Sequence, residues 1–208
     1  MKNILLFIVR FPGYGGIESV TEIIGNCLLR GGYEISIITP LAQERKSDLM
    51  GCVQYYKLPN DNKFDAPENR TIVDNVLHDN HFDAVIFQDS YADWYQMICE
   101  MCDKYNLSLY VFEHNTPLYT IYSERHDSWY MPKEIYRKLY WHRHMRQVAR
   151  ERKLYLLEHC TKYVLLSKYF MPEFCDFIGI NGSEKITYIN NPILYSPIEV
   201  DSLTKKII

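Results

Sequence analysis

Six consecutive apolar residues, Ile4-Leu5-Leu6-Phe7-Ile8-Val9, run into Gly13-Tyr14-Gly15-Gly16, and a helical pattern then extends from Ile17 to Arg30. A strand that is apolar at every position is buried on both faces and needs a layer of structure above and below it. The glycines let backbone N–H groups come close to a ligand, and the start of the helix adds partial positive charge. A buried strand, a glycine turn and a helix therefore restrict the chain to a layered α/β fold. They also mark a place where an anion can sit.

The alternation continues along the chain. Apolar residues Val20, Ile23, Ile24, Cys27 and Leu28 form a helical stripe within Glu18–Arg30, closed by Gly31-Gly32. Strands are expected at Ile4–Val9, Glu34–Thr39, Val53–Leu58, Ala84–Gln88, Ser108–Phe112, Tyr163–Leu166 and Lys185–Ile189. Further helices are expected at Glu68–His78, Asp93–Lys104 and Lys133–His159, and Ser167 is placed to cap another. Strands that alternate with helices imply right-handed crossovers. The expected fold is α/β: a Rossmann-like, doubly wound parallel sheet with helices on both faces. Ligands of such sheets collect at the carboxyl ends of the strands, which selects Gly13–Glu18, Gln88–Tyr91 and Glu113–Pro117.

Charge and motifs exclude several classes. The net charge of −3 argues against a nucleic-acid binder. No apolar run approaches the length of a membrane span, and Met1-Lys2-Asn3 leads into the first strand without a signal-peptide cleavage site. A cytoplasmic protein is expected, and its six cysteines are read as reduced, mostly buried thiols. Cys99 and Cys102 form a Cys-x-x-Cys in mid-helix without a second pair, which disfavours zinc or redox chemistry. His142 and His144 lie on different faces of a helix. No metal and no cofactor are expected. Tyrosine is over-used, with 18 residues, and its flat ring with a polar tip suits sugar rings, membrane interfaces and half-buried cores alike.

The glycine turn fails both familiar phosphate patterns. The dinucleotide fingerprint needs a third glycine where Glu18 stands, and an acid at the end of the second strand, where the chain reads Ile38-Thr39-Pro40. No Gly-Lys-Ser/Thr follows the turn either. The run Gly15-Gly16-Ile17-Glu18-Ser19-Val20, continued through Leu28-Leu29-Arg30-Gly31-Gly32-Tyr33 to Thr39, resembles the opening of family 4 glycosyltransferases, which have the two-domain GT-B fold. Val85–Asp89, Val111–Asn115, Val164–Lys168 and Ile186–Pro192 are similar to later landmarks of that family, in the same order.

The resemblance implies the N-terminal, acceptor-binding half of a retaining enzyme that moves a sugar from a nucleotide diphosphate sugar to a glycan, polysaccharide precursor or lipid-linked acceptor. Gly15 and Gly16 then lie near the donor phosphates and His114 near the donor sugar. Glu18, Asp89, Tyr91 and Asn115 fall on the acceptor side. The catalytic residues stay unknown, because the family's paired glutamates belong to a second domain. Residues 1–192 would form the first domain, with 193–208 a linker and the start of the next. The tail, with Pro192, Pro197 and Lys205-Lys206-Ile207-Ile208, reads like a boundary of this kind. Such a chain alone would bind ligand weakly and turn over nothing. Plainer readings stand beside these. His114 is also readable as a loop histidine, Glu18 as a first-turn acid, and Asp89 with Tyr91 as helix caps. For the whole chain the alternatives are a non-catalytic nucleotide- or cofactor-binding module, or a methyltransferase or reductase domain.

Lys133 to Lys153 carries eight basic residues against two acids, with Tyr136, Leu139, Tyr140 and Trp141 interleaved. That pattern fits a solvated basic face over a buried aromatic seam. Its alternative is peripheral contact with an anionic membrane.

Overall fold

The computed structural model describes residues 2–119 and 132–190; for 132–142 it describes the helical backbone alone. Seven strands run β1 (Asn3–Phe7), β2 (Glu34–Thr39), β3 (Gln54–Lys57), β4 (Ala84–Phe87), β5 (Ser108–Glu113), β6 (Lys162–Leu165) and β7 (Ile186–Tyr188). The helices between them are α1 (Gly16–Arg30), α2 (Pro67–Asp79), α3 (Tyr95–Lys104), α4 (Pro132–His159) and α5 (Phe170–Ile178). All strand pairs are parallel, in the order β3-β2-β1-β4-β5-β6-β7. The chain steps outward from β1 through β2 and β3, then restarts on the other side of β1 at β4. The loops after β1 and β4 therefore diverge and open a crevice between them.

Strand alternation divides the core into two layers. Leu5 and Phe7 of β1, Ile38 of β2 and Val85 and Phe87 of β4 pack on one face with residues of α2, α3, α4 and α5. Ile4, Leu6, Ile8, Ile35 and Ile37 pack on the other, with Ile17, Leu28 and Leu29 of α1 and Leu49 of a short 3₁₀ turn. The continuous apolar run at the N-terminus follows from this: both faces of β1 are buried. Trp94, fully buried ahead of α3, packs edge-on against Phe7 and Phe87 with ring centroids 5.6 and 6.3 Å away. Burying a side chain of this size contributes roughly 2–3 kcal/mol.

Several boundaries differ from expectation, each for a local reason. β1 ends at Phe7 rather than Val9. The Ile8 N–H still reaches the Ile38 carbonyl, but the Val9 N–H turns to the Asp89 carboxylate instead of a neighbouring strand. α3 starts at Tyr95 rather than Asp93. Ser167 caps no helix: the chain first makes a turn in which the Phe170 N–H bonds the Ser167 carbonyl, and the N-cap of α5 is Tyr169. α5 closes on Gly179 at φ 76°, the left-handed conformation glycine adopts without strain. Three cysteines are buried, but Cys27 and Cys52 are exposed. The linker expected over 193–208 and the side chains of Lys133, Tyr136, Arg137, Lys138, Leu139, Tyr140, Trp141 and His142 lie outside the described residues.

Candidate functional site

The glycine turn sits at the carboxyl end of β1, braced by the segment that follows β2. The Gln43 side-chain carbonyl accepts the Tyr14 N–H at 3.1 Å, the Pro12 carbonyl accepts the Gln43 N–H at 2.9 Å, and Arg45 donates to the Gly13 carbonyl. Gly15 is the N-cap of α1 and offers no side chain to the first N–H groups of the helix. Those donors keep the electropositive end of α1 available. The Glu18 carboxylate folds back over the turn, so a Cβ on Gly15 would stand 2.1 Å from Glu18 Oε2, whereas the space above Gly16 is open.

The loops after β4 and β5 supply the other wall. Parallel pairing sets Phe87 beside Val111, and the residues just beyond these strands meet: His114 Nε2 lies 2.5 Å from Gln88 Oε1. The His114 ring stacks over Phe112, two residues earlier, at 6.1 Å. Burial pushes its pKa down to about 4 against the opposing charge of Glu113, so the ring is neutral at pH 7. Gln88 is fully buried and its amide nitrogen has no partner among the described residues.

Asp89 is only 2% exposed. Its Oδ2 accepts the Val9 N–H at 2.5 Å and it bonds the Tyr91 side chain. Burial raises its pKa to about 6, with the charge of Glu18 adding to the rise. Asp89 therefore does not cap the next helix. It ties the loop after β4 to the end of β1. Tyr91 remains 44% exposed at the rim, and Asn115 is half-buried next to His114. Exposed tyrosines stand at the carboxyl ends of five adjacent strands: Tyr14 after β1, Tyr91 after β4, Tyr119 after β5, Tyr169 after β6 and Tyr188 at the end of β7.

A second polar cluster lies on the opposite face of the same sheet end. Glu113 falls in the strand alternation with Leu109 and Val111, whose side chains belong to the large core. Its Oε2 accepts from Lys153 Nζ at 2.5 Å and from the Tyr163 hydroxyl at 2.6 Å, with all three residues buried. Ser90 also bonds Tyr163, whose phenol burial holds well above its usual range. One turn of α4 supplies both Lys153 and Arg152, and Arg152 donates to the Tyr91 carbonyl at 2.5 Å.

Sequence reasoning placed Gln88 and Glu113 in ligand-facing segments without giving either a role, counted Lys153 only within the basic stretch, and passed over Tyr163 and Arg45. Glu113 carried a usable signal, a carboxylate in register with buried aliphatics. Gln88 carried none beyond its place after a strand. The basic stretch turns out to be partly structural. Arg146 stacks on Phe177 at 5.6 Å, Arg150 donates to the Ile178 carbonyl at 3.0 Å, and Arg152 and Lys153 are engaged as above. The Cys102 thiol is pushed up to about 12 by burial and that of Cys99 also rises, so neither supplies a thiolate. Among the described residues no cluster of His, Cys, Asp or Glu could hold a metal, and no helix is long and apolar enough to cross a membrane. A groove of about 710 Å³ lies at the amino ends of β1–β3, lined by Asn3, Tyr33, Ser36, Val53 and Gln54, at the opposite end of the sheet from these clusters.

Comparison with known proteins identifies the fold. The fold matches the crystal structure of WaaG, a glycosyltransferase involved in lipopolysaccharide biosynthesis, at 13% identity and TM-score 0.55, over 89% of this chain and 44% of that one. It matches Anabaena Alr3699/HepE, solved with UDP and glucose, at 11% identity and TM-score 0.55, over 93% of this chain and 45% of that one. The lipopolysaccharide outer core galactosyltransferase WaaB in its apo form matches at 13% identity and TM-score 0.56, over 93% and 46%. The chain thus spans less than half the length of these structures. No curated protein matches the sequence. The family model for Glycosyltransferase Family 4 matches residues 14–194, from the glycine turn to just beyond the last strand, and the chain belongs to that family.

Proposed function

We propose that this chain forms the acceptor-side half of the cleft of a glycosyltransferase that uses a nucleotide diphosphate sugar. The supporting observation is that the uncapped, glycine-flanked start of α1 follows β1 and the neutral His114 follows β5, with β4 and its Gln88 between them, all at the carboxyl ends of the strands around the switch point of the sheet. Cleavage of an anomeric C–O bond leaves a diphosphate with growing negative charge, and preorganised N–H donors at a helix start stabilise it best when water is excluded. UDP and UDP-glucose bound to HepE support a nucleotide sugar as donor. The exposed tyrosines offer flat faces suited to the rings of a glycan or lipid-linked acceptor.

In this reading residues 1–192 form one domain, residues 193–208 lead into a second that carries the catalytic glutamates, and no further cofactor takes part. Glu18, Tyr91 and Asn115 border the acceptor, while Asp89 shapes the wall behind them. The protein works in the cytoplasm, and any contact with anionic membrane falls on the Lys133–Arg143 part of α4. The full-length protein, given UDP-sugars and a panel of glycan and lipid-linked acceptors, is expected to release UDP in an acceptor-dependent way. Absence of release with every donor and acceptor, from protein shown to be folded, would overturn the proposal.

A further inference from the structure

We propose that Gln88 is a positioning residue for His114: its side-chain carbonyl holds the ring proton on Nε2, leaving Nδ1 as a hydrogen-bond acceptor for a ligand hydroxyl. This rests on the proposed function for the identity of the ligand, but the device itself lies in the chain. Gln88 has no exposed surface. The 2.5 Å contact between Gln88 Oε1 and His114 Nε2 is its only side-chain hydrogen bond among the described residues, since its amide nitrogen is unpartnered. A carbonyl oxygen can only accept, so the nitrogen facing it must carry the proton and the other ring nitrogen keeps its lone pair.

The choice of an amide matters. A carboxylate at position 88 would orient the ring equally well, but its charge would draw a second proton onto His114. An imidazolium has two donors and no acceptor and suits a phosphate; a neutral ring with one lone pair suits a hydroxyl. The surrounding charges are arranged to keep that choice. Glu113 on β5, the carboxylate that favours protonation of His114, is met by Lys153 of α4 and Tyr163 of β6. Asp89 bonds Val9 and Tyr91, and Glu18 of α1 and Arg10 bring opposite charges to that side. Burial then holds the ring uncharged.

The test is nitrogen-15 NMR of histidine-labelled full chain across a pH series, without ligand, on wild type, Gln88→Glu and Gln88→Met. The wild type is expected to show His114 protonated at Nε2 and bare at Nδ1. Gln88→Glu should keep that tautomer and raise the titration midpoint by about 1–3 pH units. Gln88→Met, of similar volume, should release the Nε2 proton to rapid solvent exchange. A wild-type ring protonated at Nδ1, as the reversed amide orientation would require, overturns the proposal. So does an unmoved midpoint in Gln88→Glu, or a protected Nε2 proton in Gln88→Met. None of these readings involves a nucleotide sugar, so failure to detect transfer would count against the proposed function and leave this result standing.

Discussion

Two polar clusters occupy opposite faces of the same sheet end, and they are built differently. Glu113 and Lys153 form a buried ion pair, and the neutral Tyr163 hydroxyl donates to the same carboxylate oxygen. Gln88 and His114 are neutral, and one buried amide nitrogen is left without a partner. In the first arrangement the buried carboxylate is answered by a cation and a phenol hydroxyl. The second sits beside the uncapped start of α1 and retains hydrogen-bonding capacity. The contrast teaches that the same sheet end carries a buried ion pair on one face and an uncharged amide–imidazole pair on the other, and the proposed function assigns the ligand to the second.

The largest effect expected from this contrast is on stability. Lys153→Met strands the Glu113 carboxylate in the core and should cost about 3–5 kcal/mol in urea unfolding. Adding Glu113→Leu removes the stranded charge and should restore most of that loss. His114→Gln or Gln88→Met should change stability at pH 7 by only about 1 kcal/mol. If the Gln88 variant proves as damaging as Lys153→Met, the distinction between scaffold and site fails.

Next in size is a hidden pH dependence. The folded-state pKa of His114 is depressed to about 4, below its unfolded value, so the unfolded chain binds more protons between the two and stability rises with pH across that window. Asp89 is raised to about 6, so the folded chain binds more protons from the ordinary carboxylate range up to that value, and stability falls with rising pH. Each contribution is about 3 kcal/mol and the signs oppose. The two groups alone give wild type a nearly flat profile from pH 4 to 6. Asp89→Asn, which keeps an acceptor for the Val9 N–H, should expose a profile that climbs with pH; His114→Gln should expose one that descends. Denaturant midpoints measured at several pH values check both signs.

Smaller effects concern function. His114→Ala in the full-length protein should lower kcat/KM about tenfold, the loss expected for one neutral hydrogen bond in a closed cleft. Gly16→Ala enters open space and should leave stability unchanged, while weakening nucleotide binding by about 0.5 kcal/mol through crowding of the anion. Equal binding by both proteins would move the phosphate away from Gly16.

Much of the fold was legible because β1 and α1 obey simple periodicities. The continuous run Ile4–Val9 demanded cover on both faces, and α1 and the later helices provide it. The family itself was legible through the motifs around Gly15, Gly16 and His114, and its model matches residues 14–194. What sequence could not show was pairing across distance. That Val9 N–H would go to Asp89 rather than to a strand depends on a contact 80 residues away. The basic stretch from Lys133 to Lys153 looked like one surface by composition, yet Arg150, Arg152 and Lys153 are spent on Ile178, Tyr91 and Glu113. Gln88 is silent in sequence because its role arises only when β4 and β5 lie side by side.

The most direct test of the central claim is an amide NMR titration of this chain with UDP-glucose. Progressive shifts are predicted for Gly15, Gly16, Gln88 and His114, while Lys153, Tyr163 and the residues lining the groove at the amino ends of β1–β3 stay in place. Shifts centred on Tyr33, Ser36, Val53 and Gln54, or no shift at Gly15, Gly16 and His114 at saturating nucleotide sugar, would contradict it.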